Sequence, residues 1–256
     1  VLAAAEKFGL SGDAVLQGIA AGAEAACRLF TVIPKAVHKA GFHPTSVFGT
    51  PAAALAVGTA MGLPAEKLGG AVGIAGSMAS GIIEYLAEGA WTKRMHPGWA
   101  AQGGLRAAVL AQHGFFGPRT VMEGTHGLFF GFARGIPGGW DALLEGFGSR
   151  WVASSIAFKP YASGTMTQPY IDCARRLRAA GVSADQVVAI ECETAEGILH
   201  RLWQPLAAKQ APPNGYAAKF SVPYCVAAGL VLDDGGIGAF ADDVVAHVRE
   251  VAAVVP

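Results

Sequence analysis

Apolar positions recur at helical spacing through most of the first 145 or so residues, interrupted by short Gly- and Pro-containing breaks. This pattern predicts helices at about 1–9, 12–30, 51–62, 65–88, 98–113 and 118–122. Thr50 followed by Pro51 reads as an N-cap and first helical residue, and Gly62 and Gly114 read as helix stops. Near GFGSRWVASSIAFKPYASG the texture changes. WVASSIAF and QVVAIECET are β-compatible, with helices expected at about 167–181, 217–232, 236–240 and 241–250 and a Pro-rich loop over 203–216. The expected fold is mainly α: a large all-helical domain over 1–147, then a smaller α+β domain over 148–256, with the boundary near residues 146–150.

Composition narrows the range of functions. The 256 residues are 52% hydrophobic and 15% charged, enough to bury a sizeable core. Nineteen basic residues balance nineteen acidic ones without a long run of either sign, which argues against a nucleic-acid footprint or a polybasic membrane patch. Any function that uses charge must therefore be local. Cys27, Cys173, Cys192 and Cys225 are far apart, with no CxxC pair and no zinc or iron–sulfur spacing, so they read as reduced thiols of a cytoplasmic protein with no metal. Between Lys39 and Glu66 the only titratable side chain is His43, but Pro44, Pro51 and Pro64 break this Gly- and Ala-rich stretch, and no membrane span is expected. The sequence opens at Val1 as though already inside a helix, which reads as a fragment.

Three stretches carry candidate chemistry. In GAWTKRMHPGWAAQGG, Lys93, Arg94 and His96 stand among uncharged residues. With Pro97 opening a helix, they would sit on the connection before it, where free N–H groups favour a carboxylate or phosphate. The alternative is that the two cations are solvated loop charges and His96 caps the helix. In AGFHPTSVFGTP, His43 is placed to exchange protons near neutral pH, with Thr45 among the groups that could bind substrate oxygens, or it is a loop histidine satisfied by backbone. In AFKPYASGTMTQPY, Lys159 leaves an apolar segment at a Pro/Gly turn, either to neutralise a carboxylate or simply as an exposed strand-end lysine. Nucleotide-binding and hydrolase motifs are missing: GLVLDDGGIG and GIAGSMASG are not GxGxxG, and neither GxSxG nor HExxH occurs. Asp233 and Asp234 read as a helix C-terminal turn, and Cys225 has no evident activating base.

Taken in order, GFHPTSVFGTPAAA, GAWTKRMHPGWAAQGG, FKPYASGTMTQPYIDCARRL and FSVPYCVAAGLVLDDG resemble the MmgE/PrpD family, whose members include 2-methylcitrate dehydratase, cis-aconitate decarboxylase and iminodisuccinate epimerase. The resemblance implies a large helical domain with a smaller α+β domain, an active site between them, no metal or organic cofactor, and a homodimer. It implies catalytic or carboxylate-binding roles for His43, Lys93 and Lys159; Arg94, His96, Thr45, Tyr161 and Gln168 are the further substrate-binding candidates. Two departures stand out. The family's upstream segment, with an Asp-rich, His-containing motif, has no counterpart in this sequence, and Gln168 replaces a histidine common in relatives, so it can hydrogen-bond but not exchange protons. A family tyrosine has only Tyr216 and Tyr224 as candidates, the latter read as core.

The expected activity is a cofactor-independent lyase acting on a small di- or tricarboxylate, with dehydration first, through an enolate-like intermediate stabilised by Lys93 and Lys159. His43 would move the proton. Epimerisation by the same carbanion chemistry, and a catalytically incomplete or split subunit that needs the missing segment from a partner, are the alternatives.

Overall fold

The computed structural model describes residues 1–88 and 90–252; Gly89, which opens the GAWTKRMHPGWAAQGG stretch, and residues 253–256 lie outside the described residues. The chain divides into two compact units between Ile156 and Ala157, beyond the boundary expected near 146–150. The first unit is helical throughout: α1 (Leu2–Phe8), α2 (Gly12–Val32), α3 (Ala36–Lys39), α4 (Pro44–Ala60), α5 (Ala65–Met78), α6 (Tyr85–Glu88), α7 (Thr92–Gln112), α8 (Leu128–Phe132) and α9 (Trp140–Leu144).

Helix α4 lies at the centre of this unit, packed by α2, α5 and α7. Its apolar and small residues face every direction, because almost every side of the helix is covered: Val47, Phe48, Thr50, Ala54 and Val57 are all buried. Small residues set the helix separation. A Cβ on Gly104 of α7 would lie 2.4 Å from the Ala53 Cβ and 2.5 Å from the Ala54 nitrogen, so α7 meets α4 backbone to backbone. On the other side, a Cβ on Gly18 of α2 would lie 2.6 Å from the Ala56 carbonyl oxygen.

The sequence places the start of α4 seven residues too late. His43, with extended backbone, takes the N-cap, Pro44 takes the first helical position, and Pro51 sits inside the helix. Pro51 cannot donate an N–H to the preceding turn; burial of its neighbours on both faces carries the helix through it. Helix α7 likewise begins at Thr92 and passes through Pro97, so Lys93, Arg94 and His96 are helical residues rather than loop residues. The helix expected over 65–88 ends at Met78, where Ala79 turns extended. The segment 118–122 forms turns, and α8 and α9 were not anticipated.

Among the described residues, α2 alone is long and apolar enough to cross a membrane by length and composition. It nevertheless carries a buried ion pair. Arg28, 1% exposed, donates from Nε to Glu24 Oε1 at 2.5 Å, from Nη1 to the carbonyls of Leu143 and Glu145 at 2.9 Å each, and from Nη2 to that of Arg150 at 2.7 Å. Glu24 in turn accepts the N–H groups of Val152 at 3.1 Å and Ala153 at 2.8 Å. These bonds satisfy both charges and fasten the 143–153 segment to α2. Burial alone would raise the Glu24 pKa, but the Ala153 and Val152 N–H groups and the Arg28 guanidinium outweigh it and hold the carboxyl below its ordinary value.

The second unit contains α10 (Gln168–Ala179), α11 (Leu199–Leu202), α12 (Leu206–Gln210), α13 (Gly215–Ala218), α14 (Val222–Leu232) and α15 (Asp242–Ala252). Helix α14 packs between α10 and α15, burying Ile171, Tyr224, Cys225, Phe240 and Val245. The Pro-rich loop expected at 203–216 holds the short helix α12, and the single helix expected at 217–232 is broken between α13 and α14.

The expected α+β character is corrected. Within the described residues there is no strand, only an isolated antiparallel bridge between Phe42 and Ile82 in the first unit. Val152–Ser155 of WVASSIAF forms a 3-10 turn, where Glu24 captures its N–H groups. QVVAIECET runs without a ladder partner, leaving Val188 81% exposed. Side-chain alternation favours a pleated backbone, but a strand exists only where a neighbour accepts its hydrogen bonds.

Four variants test this packing. Arg28→Met leaves Glu24 buried without its cation and is expected to destabilise the first unit by about 3–5 kcal/mol in urea unfolding. Because the folded pKa of Glu24 lies below its ordinary 4.5, its stabilising contribution is present above that pH and lost as pH falls through the lowered value; Glu24→Gln should flatten that acid slope. On α7, Gly104→Ala should cost roughly 1–3 kcal/mol by overpacking. Gly98→Ala, where a Cβ meets nothing within 4 Å, should instead gain about 0.5–1 kcal/mol from helix propensity.

Candidate active site

The N-terminus of α4 and the first turns of α7 meet around two histidines. His43 is fixed by backbone: its N–H donates to the Gly81 carbonyl at 2.8 Å, and its own carbonyl accepts from Ser46 at 2.9 Å and Val47 at 3.1 Å. The Phe42–Ile82 bridge and the Ile83 N–H donated to Gly41 at 3.0 Å clamp the same crossing. Gly81 is required there. Its φ is +116°, and a Cβ would lie 2.7 Å from the Ser46 Cβ and 3.3 Å from His96 Cε1.

His96 lies on α7 and is 4% exposed. It does not act as the helix cap that one sequence reading gave it, since Trp91 occupies that position. The Nδ1 atoms of His43 and His96 are 2.9 Å apart, a hydrogen bond in which one ring donates and the other accepts. The Tyr85 ring sits edge-on to both imidazoles, with centroids 5.7 Å from each. The Lys93 ammonium lies 5.8 Å from the Tyr85 ring centroid, within cation–π range.

These neighbours make the histidines hard to charge. Burial first, then His96, Lys93 and His38, lower the His43 pKa to about 4, and burial lowers that of His96. Both rings are therefore neutral at pH 7. An open pocket of about 730 Å³ adjoins them, lined by Ser80, Glu84, Tyr85, Met95, His96 and Trp99 among others. The buried Ser46 hydroxyl has no hydrogen-bond partner among the described residues. Arg94 stacks on Trp91 with its guanidinium carbon 5.0 Å from the ring centroid, and Thr45 is exposed on the first turn of α4. The first unit thus brings together His43, Lys93 and His96, which the sequence places some fifty residues apart.

Tyr85 and Gly81 were missed. The 65–88 stretch reads as a continuous helix, although Gly81 inside it is a breaker signal.

In the second unit, Lys159 is exposed and donates to the Ser163 carbonyl at 3.3 Å. Thr167 Oγ1 lies 2.8 Å from both Ser163 Oγ and the Gly164 carbonyl, which closes the turn below the lysine. The buried Gln168 donates from Nε2 to the Tyr161 carbonyl at 3.3 Å, bracing the same turn. The Tyr161 hydroxyl donates to Asp172 and accepts from Arg175 at 3.1 Å, so it is already engaged on both sides. Tyr224 is fully buried with its hydroxyl on the Ala239 carbonyl, a core residue as expected. Burial pushes the Cys225 thiol up to about 12, leaving it protonated and unreactive. Among the described residues, no cluster of three His, Cys, Asp or Glu side chains is arranged to hold a metal ion.

Residues 1–137 match the MmgE/PrpD N-terminal domain and residues 161–255 the MmgE/PrpD C-terminal domain. The chain is 30% identical over 204 residues to the cis-aconitate decarboxylase of Aspergillus terreus, an alignment covering 75% of this chain and 41% of the relative. It is 33% identical over 127 residues to the cis-aconitate decarboxylase-like protein oryM of Aspergillus oryzae, covering 48% of this chain and 26% of the relative. With the cis-aconitate decarboxylase of Homo sapiens it shares 32% identity over 140 residues, or 54% of this chain and 28% of the relative. The chain therefore spans less than half the length of these curated relatives. With both domains matched in order along its length, the chain belongs to the MmgE/PrpD family.

Proposed function

We propose that this protein is a lyase of small di- or tricarboxylates, working without a metal or organic cofactor, and that it decarboxylates its substrate. The observation that carries this reading is the His43–His96 pair, of which His96 lines an open pocket, with the Lys93 ammonium against Tyr85 on the same pocket wall. The names of the relatives point to decarboxylation ahead of the dehydration expected from the sequence.

Loss of carbon dioxide leaves an electron pair on carbon, which a conjugated carboxylate accepts as an enolate-like form. Lys93, with Arg94 on the adjacent position of α7, supplies the counter-charge for substrate carboxylates and for that developing charge. Lys159, held at the Ser163 carbonyl, is proposed to bind a further carboxylate. The reaction then needs one proton delivered to carbon, and His43 is the proposed donor. An imidazole with a folded pKa near 4 is neutral in the free protein, but an arriving polyanion favours its charged form and raises that value. Thr45, Tyr161 and Gln168 are proposed to shape the substrate's surroundings rather than to exchange protons.

The activity is tested by proton NMR with citrate-, aconitate- and succinate-type acids in deuterated water. A decarboxylated product with deuterium at the carbon that lost carbon dioxide is expected. Formation of an alkene with loss of water would replace decarboxylation by dehydration, and inversion without bond loss would replace both by epimerisation. Lys93→Ala should weaken polycarboxylate binding by roughly 10- to 100-fold, the value of one charge-assisted contact, without lowering the melting temperature. An equal loss of stability would make Lys93 structural. His43→Gln should abolish turnover while binding persists. Because the proposed donor must be protonated, kcat should fall as pH rises through the pKa of the bound complex, whereas a histidine acting as base would give the opposite limb.

A further inference from the structure

We infer that His43 and His96 act as a single proton-sharing unit, in which His96 sets the tautomer of His43 and relays its proton to the pocket. The inference deepens the proposed function, but its first test does not depend on activity. It rests on the Nδ1···Nδ1 contact of 2.9 Å. Two neutral rings can hold that contact only in opposite tautomers. One carries hydrogen on Nδ1 and leaves Nε2 open as a base; the other accepts at Nδ1 and carries hydrogen on Nε2.

A proton taken up at Nε2 of His43 therefore need not stay there. The bridging hydrogen passes from His43 Nδ1 to His96 Nδ1, and His96 releases its Nε2 hydrogen. One proton enters and one leaves, and each ring ends in the other tautomer. The reverse sequence delivers a proton outward from His43. His96 lines the pocket and His43 is anchored by backbone at the head of α4, so the exchange links the pocket wall to His43 in either direction.

The pair also takes up a second extra proton only at distinctly lower pH than the first. Double protonation would set N–H against N–H across 2.9 Å and place two positive charges on rings whose centroids are 5.1 Å apart. Repulsion at that separation pushes the second protonation about two pH units below the first. The surrounding charges act in the same direction. Lys93 and His38 face His43 and disfavour its charged form, and the Tyr85 ring covers both imidazoles. Glu84, on the pocket wall, is the one acidic side chain lining it among the described residues.

The test is a long-range proton–nitrogen NMR titration of uniformly ¹⁵N-labelled protein from pH 8 to 3.5, with His43→Gln and His96→Asn spectra assigning the two rings among the seven histidines. The expected result is one ring protonated at Nδ1 and the other at Nε2, with both shifting together as the pair takes up a single proton. Two rings in the same tautomer, or two independent midpoints, would overturn the inference whether or not the protein turns over any acid. His96→Asn keeps an acceptor for the His43 N–H but cannot relay. It should hold His43 in its Nδ1–H form, raise its midpoint from about 4, and lower kcat by at least about tenfold with KM little changed. His96→Asn that is folded by its amide spectrum, yet titrates and turns over like the parent, would equally overturn it. Paired titration without turnover on any acid would leave the shared proton standing and count against the proposed lyase reading.

Discussion

Helix α4 lies against α2 and α7 at separations that leave no room for a side chain at Gly18 or Gly104. This backbone-to-backbone approach governs the first unit. It buries α4 on nearly all sides, so the helix continues through Pro51 despite the lost hydrogen bond. It also fixes the separation of the head of α4 from the first turns of α7, where the two histidines meet. Wider helices would keep the same residues and lose the 2.9 Å contact between them.

The Glu24–Arg28 pair works on the opposite side of α2. A bare ion pair inside a helical unit costs more in lost hydration than it returns, but here the carbonyls of Leu143, Glu145 and Arg150 and the N–H groups of Val152 and Ala153 complete both coordination shells. The pair therefore acts as a connector between a helix and an irregular segment whose backbone groups would otherwise need water. It also explains why WVASSIAF does not extend as a strand, since its Val152 and Ala153 N–H groups are already given to Glu24.

The chemistry of the site comes from contrast. A chain with equal numbers of positive and negative groups places Lys93 near two imidazoles whose burial disfavours their charged forms. Lys159 repeats the theme in the second unit, where the Ser163–Thr167–Gln168 turn is tied by its own hydrogen bonds and presents the lysine at its edge.

The sequence by itself determined that the chain is mainly helical, where most of the long helices lie, and which three stretches set basic side chains in uncharged surroundings. Periodicity and residue type are local properties, and a lysine or histidine in an uncharged neighbourhood is visible without a fold. It did not determine the helix starts at Pro44 and Thr92, because a proline reads as a boundary until tertiary burial offsets its missing donor. Nor could β-compatible composition decide whether WVASSIAF and QVVAIECET would pair, since a ladder needs a partner that no local pattern supplies. The junction of Gly81, Ser46, Tyr85, His43 and His96 belongs wholly to the tertiary structure. Its members come from four separate segments, and what makes them a site is the angle and distance at which close-packed helices bring those segments together.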